Sequence, residues 1–279
     1  VASRGLGDVY KRQAQAFRYA IETGVSTLEL DIVMSKDGIP VVWHDPDVQA
    51  EKCHDTAPAT PNDHMYPYVG KLVHNLNWSQ LQTLSCDKKL ADFPGQKVAK
   101  DNRMIQLKDV FDIVKKYGAE KDIYYNIETK VEADDHSKSA EPKEFVDAIM
   151  GAVKDAGVQD KVMIQSFDWR TFPLMKDVAP EVPLVMLYDE TTWLKDSKWT
   201  GDVNYDDVNG DVIKAAKKLG VQVLSPGYTN PYGLLPGQKD YKLVADKKFI
   251  DAAHKEGLRV VPWTIDNKDV LAQQIEAGA

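Results

Sequence analysis

Apolar positions along this chain follow two alternating rhythms. Nearly continuous apolar runs at Thr27–Met34, Ile39–Trp43, Ile123–Glu128, Lys161–Ser166, Leu184–Tyr188, Val221–Ser225 and Leu258–Thr264 predict strands. So little polarity within a strand is what burial on both faces of a parallel sheet requires. Between the runs, apolar residues three and four apart predict helices over Ala14–Glu22, Leu107–Tyr117, Glu144–Ala156, Val212–Leu219, Lys247–Glu256 and Lys268–Glu276. Gly118, Gly157, Gly220 and Gly257 directly follow four of these as helix stops. A repeated helix–glycine–strand phrase marks an α/β fold with a parallel sheet. No glycine-rich phosphate loop follows a strand, which removes the main mark of the open nucleotide-binding form. Polar, reactive side chains cluster instead at the C-terminal ends of several strands, where barrel enzymes build their sites. This favours a closed barrel over an open doubly wound sheet, although the two share the rhythm.

One stretch breaks the rhythm. From about Asp45 to Lys100 the chain is rich in Pro, Asp, Asn and Lys, with one helical piece around Trp78–Leu84. It reads as an insertion after the second strand, and long loops in compact domains are usually functional or linkers. Its apolar residues are few, mainly Leu72, Val73, Leu76, Trp78, Leu81, Leu84 and Phe93. Both cysteines, Cys53 and Cys86, fall inside it. A disulfide between them would supply the constraint a poorly cored loop lacks, and would place the protein in a secreted or periplasmic compartment; two free thiols in a cytoplasmic protein is the alternative. A second loop, Pro226–Tyr241, carries Gly227, Gly233, Gly237 and three tyrosines after a strand, and could shape the mouth of a pocket or merely cover the surface.

Composition narrows the choice of partner. The 279 residues carry a net charge of -8, which argues against a nucleic-acid or anionic-membrane surface, and no apolar run reaches the length of a membrane span. An anionic small substrate stays possible, because a bound cation can invert the local field.

The densest chemistry lies in Gly24–Pro46. Alternation along Thr27–Met34 puts Glu29, Asp31 and Val33 on one face and Leu28, Leu30 and Ile32 on the other. Two acids on the buried side of an apolar strand are costly unless paired or metal-bound, and a hard divalent cation with oxygen ligands is a natural solution; a solvated strand face is the alternative. Asp37-Gly38 is a hairpin turn signal, and the returning arm ends at His44-Asp45-Pro46. Folding back could bring His44 beside the carboxylates, where an imidazole can handle protons, although a histidine at a strand end is often structural. In Tyr124–Lys130, residues Asn126, Glu128 and Lys130 share a face. Glu128 can supply a third acidic ligand and Lys130 a point charge for phosphate, or the two can be an ordinary ion pair.

Together these residues resemble the glycerophosphodiester phosphodiesterase family. The matching pieces are Glu29-Leu30-Asp31, Lys36-Asp37-Gly38, Pro40-Val41, His44-Asp45 and Glu128-Thr129-Lys130, with Gln165-Ser166-Phe167 and Trp263-Thr264 further on. The resemblance runs from about Ala14 to Ala279 and implies a single (β/α)8 TIM-type barrel domain over 14–279, with the insertion after the second strand at about 45–100. It implies that Glu29, Asp31 and Glu128 bind one divalent cation, calcium or magnesium, and that His44 is one of two acid/base histidines. It also implies that Lys130, Phe167 and Trp263 contact a small glycerophosphodiester, which is cut to an alcohol and glycerol 3-phosphate; ordinary aromatic packing is the other reading of Phe167 and Trp263. A related phospholipase D- or C-like barrel, or an inactive metal- or phosphodiester-binding fragment, are the competing functions.

The ends depart from that pattern. Val1–Gln13 contains neither the His-Arg-Gly strand nor the Pro-Glu-Asn-Thr loop with which the family begins, and Ser3-Arg4-Gly5 stands one residue too close to Phe17. This segment reads as a non-native tail. The family also continues past Ala279 into a final strand. The expectation is therefore an incomplete barrel, inactive as written for want of its first histidine.

Overall fold

Strand-forming runs and amphipathic helices alternate in the structure much as their periodicities require. It is a computed structural model that describes residues 13–91 and 101–279. The described residues group into two compact units, divided between Val162 and Met163. The expected tail falls almost wholly outside the described residues, as does Phe93.

In the first unit, α1 (Gln13–Glu22) leads into β1 (Thr27–Met34). The hairpin forms at Asp37-Gly38: Ser35 N–H donates to Ile39 O at 3.0 Å, and Gly38 takes the positive φ of 77° that the turn demands. It returns the chain as β2 (Pro40–Val42), antiparallel to β1 with Val33 opposite Val41. The chain then makes the excursion containing α2 (Trp78–Leu81), and β3 (Ile105–Gln106) pairs antiparallel with β2. After α3 (Leu107–Lys116), β4 (Tyr124–Thr129) lies parallel to β1 on its other side. The order in this part of the sheet is β3-β2-β1-β4. α3 packs beside both α1 and α4 (Pro142–Ala156).

The excursion is better cored than its composition suggests. Val48, Cys53, Tyr68, Val73, Leu76, Leu81, Leu84 and Cys86 form one buried cluster with Val33 of β1, Val41 of β2, and Trp43 and Met104. Two partly buried aspartates tie its loops together through hydrogen bonds. The Asp55 carboxylate accepts the N–H groups of Tyr68 and Val69, and Asp63 accepts the Tyr68 hydroxyl at 2.6 Å and Gln80 Nε2 at 2.7 Å. Asp37 serves two elements at once, accepting Ser35 Oγ–H within the hairpin and Trp78 N–H at the start of α2. The helical piece is shorter than the sequence suggests, ending at Leu81.

The second unit repeats a plainer rhythm. β5 (Val162–Ser166), β6 (Leu184–Tyr188), β7 (Val223–Pro226) and β8 (Arg259–Val260) are parallel neighbours in that order. They are interleaved with α5 (Thr171–Val178), α6 (Val212–Leu219) and α7 (Lys247–Lys255), and α8 (Lys268–Ala277) follows β8. Gly157 and Gly220 close α4 and α6 in the left-handed conformation that glycine adopts without penalty. α5 has no counterpart among the expected helices, and β8 is far shorter than the Leu258–Thr264 run. Pro262, which has no N–H to donate, interrupts that run.

Candidate metal centre

Parallel pairing of β1 with β4 sets Asp31 beside Glu128 and Glu29 beside Asn126. Strand alternation then aims three carboxylates to one side. Oxygens of Glu29, Asp31 and Glu128 all lie within 4.8 Å of one another. The three residues are only 9, 8 and 2% exposed. Acids gathered so closely away from water need counter-charge. An all-oxygen donor set of this kind suits a hard divalent cation. The donor chemistry and spacing therefore fit such an ion.

Cationic and proton-handling groups adjoin the cluster. Lys130, just past β4, sets its Nζ 2.9 Å from Glu128 Oε1 and 3.4 Å from His44 Nε2. The hairpin that carries His44 back beside β1 is what brings these residues together. The His44 ring is turned so that Nδ1 lies 3.1 Å from Asp45 Oδ1, and Asp45 Oδ2 in turn accepts from Lys52 Nζ. Burial raises the Asp45 pKa, but the hydrogen bonds and charges of His44 and Lys52 outweigh it and hold the carboxyl below its ordinary range. Cys53, next to Lys52, is bonded to Cys86.

Phe167 and Trp263 belong to the second unit. Phe167 follows β5 and stands edge-on to Trp263, with ring centroids 5.4 Å apart, and to Trp199 at 6.3 Å. Trp263 donates from Nε1 to Ser225 O and lies 4.8 Å from the ring of Tyr232. The tyrosine of the glycine-rich loop thus joins an aromatic row.

Sequence reasoning did not single out Lys52. A lysine after Glu51 in a polar stretch reads as a solvated surface residue, yet it is 7% exposed. Its only advance signal is position, one residue before a cysteine and seven after Asp45.

An acidic, oxygen-only centre with a neighbouring imidazole and ammonium, carried on parallel strands of an α/β fold, is the equipment of a phosphoester-cleaving enzyme class. Comparison with known proteins agrees. The sequence profile of the Glycerophosphoryl diester phosphodiesterase family matches residues 4–279. A curated glycerophosphodiester phosphodiesterase from Caldanaerobacter subterraneus subsp. tengcongensis is 24% identical over 279 residues, covering all of this chain and 90% of that one. A solved structure from Silicibacter pomeroyi DSS-3 superposes with a TM-score of 0.73 at 21% identity, over 95% of this chain and 82% of the other. An Oleispira antarctica phosphodiesterase, solved with its product sn-glycerol-3-phosphate, gives 0.65 at 15% identity, over 95% and 83%. These solved relatives are TIM barrels, the fold class expected from the sequence. The chain belongs to the glycerophosphoryl diester phosphodiesterase family.

Proposed function

We propose that the Glu29–Asp31–Glu128 centre binds one divalent cation, calcium or magnesium, and serves metal-dependent hydrolysis of a glycerophosphodiester to an alcohol and glycerol 3-phosphate. The observation that carries this reading is the convergence of three buried carboxylates within 4.8 Å beside Lys130 and His44. Bound there, the cation would polarise the phosphoryl oxygens as a Lewis acid. Lys130 presents a compact positive charge to the phosphate. His44 moves a proton at Nε2, either from the attacking oxygen or to the leaving alkoxide. Phe167 and Trp263 offer apolar surface to the glycerol or alcohol group. On this reading residues 14–279 act as one barrel domain with the insertion at about 45–100, which the single family match across both units supports. The Cys53–Cys86 bond favours a secreted or periplasmic setting. Among the described residues no helix is long and apolar enough to cross a membrane.

One observation favours a second reading, a chain that binds cation and phosphodiester without cutting. Among the described residues His44 is the imidazole recorded beside Lys130 and Glu128, while hydrolysis of this kind uses a pair of proton-handling groups. On this second reading the protein binds the cation and releases little or no glycerol 3-phosphate. Calorimetric titration with calcium and magnesium, paired with an assay on glycerophosphocholine, tests both parts. Absence of cation binding removes the metal centre, and hydrolysis at the rate typical of enzymes, about 1–10³ per second, removes the inactivity.

A further inference from the structure

Hydrogen-bonding capacity restricts the His44 ring more tightly than its distances alone suggest. A lysine ammonium can only donate and a carboxylate can only accept, whereas a neutral imidazole offers one donor and one acceptor. His44 stands between the two kinds, with Nε2 at 3.4 Å from Lys130 Nζ and Nδ1 at 3.1 Å from Asp45 Oδ1. The neutral ring that satisfies both neighbours carries its proton on Nδ1 and its lone pair on Nε2. That form leaves the basic nitrogen on the side of Lys130 and Glu128.

Asp45 can enforce this only if its own carboxylate is held. Its second oxygen accepts from Lys52 Nζ, the ammonium group of a residue that is almost wholly buried. Lysine is seldom buried unless paired. The Lys52 ammonium also sits over the Trp43 ring, 5.6 Å from its centroid. Its backbone is fixed as well: Lys52 N–H donates to Gln49 O at 3.1 Å, Lys52 O accepts from Lys88 N at 3.4 Å, and the next residue is tied to Cys86. Each contact from Lys52 through Asp45 and His44 to Lys130 and Glu128 therefore pairs a donor with an acceptor.

We propose that Lys52, contributed by the insertion, is a positioning residue that clamps Asp45 and thereby keeps His44 in its Nδ1–H form, with Nε2 as the basic nitrogen on the side of Lys130. The inference rests on the reading of His44 as the proton-handling group. Nitrogen-15 spectra of the His44 imidazole in the full chain test it without turnover, at about pH 8, where an ordinary imidazole is neutral. The resonances are assigned by their loss in His44→Ala. The wild-type chain should show the Nδ1–H tautomer predominating, Lys52→Met should lose that dominance, and Lys52→Arg should restore it. If Lys52→Met does not fold, Lys52→Gln carries the same comparison, with the amide spectrum and thiol count confirming an intact fold and disulfide. An unchanged Nδ1–H spectrum without the lysine cation overturns the proposal, as does a failure of arginine to restore it. Calcium titration is run alongside: a wild-type chain that binds no calcium defeats the proposed function, while the tautomer comparison still decides the role of Lys52.

Discussion

Asp31 sits on the shared inner face of β1 and lies in register with Glu128, so it is the central member of the carboxylate group. Asp31→Asn keeps the shape and removes the charge. It should weaken calcium or magnesium binding by more than about tenfold, since even partners outside the ligand shell account for roughly 10–100-fold in metal affinity. Calorimetry on the two chains measures this, and equal titrations would take Asp31 out of the centre. His44→Ala should lower turnover by about 10²–10⁴, wherever turnover can be measured, with cation binding retained. Asp45 makes a different prediction, in acid. Its folded-state pKa lies below the unfolded carboxyl value of about 3.9, so its contribution to stability is complete above that value and is lost as pH falls through the folded pKa. The gap in urea midpoint between wild type and Asp45→Asn should accordingly be full at neutral pH and close below about pH 4; a gap constant down to the acid limb would show that the carboxylate charge is not what stabilises.

At the scale of elements, the excursion after β2 is held by a core and by a covalent tie together. Leu84 is fully buried in that core, and Leu84→Ala should cost about 2–5 kcal/mol. The disulfide closes a separation of 33 residues, for which the chain-entropy model gives about 3–4 kcal/mol. Denaturant titrations with and without reductant read that contribution; identical midpoints, with the bond shown to be reduced, would contradict it. The same elements show what can be read from sequence and what cannot. β1 was legible to the residue because eight residues of apolar and acidic alternation admit one register. The hairpin followed from Asp37-Gly38, and the grouping of Glu29, Asp31, Glu128 and His44 followed from those two facts. α5 was missed because Pro173 reads as a breaker, although in the first turn of a helix a missing N–H costs nothing. β3 has two residues, too few for any periodicity. The core of the excursion was underestimated because members such as Val48, Cys53 and Cys86 are scattered singly among polar neighbours and become a cluster only through chain reversal. Lys52 was hidden for the same reason.

For the whole molecule, cation binding and folding should be linked. A ligand that binds only the folded chain stabilises it by about 2.7 kcal/mol at a concentration of 100 times its dissociation constant. Thermal scans should therefore show a midpoint rising with calcium or magnesium, and Asp31→Asn should remove the rise; a cation-independent midpoint in the wild-type chain would argue against a resident metal. The mixed core of the excursion bears on how the chain can be redesigned. Val33, Val41 and Trp43 from the first hairpin are shared with Leu76, Leu81 and Leu84 from beyond it, so the border between scaffold and appendage runs through packed side chains rather than around them. An engineer who trims the segment to reach a minimal scaffold, or grafts in the corresponding stretch from a distant relative, is replacing half of a hydrophobic interior and has to redesign its other half in the same step.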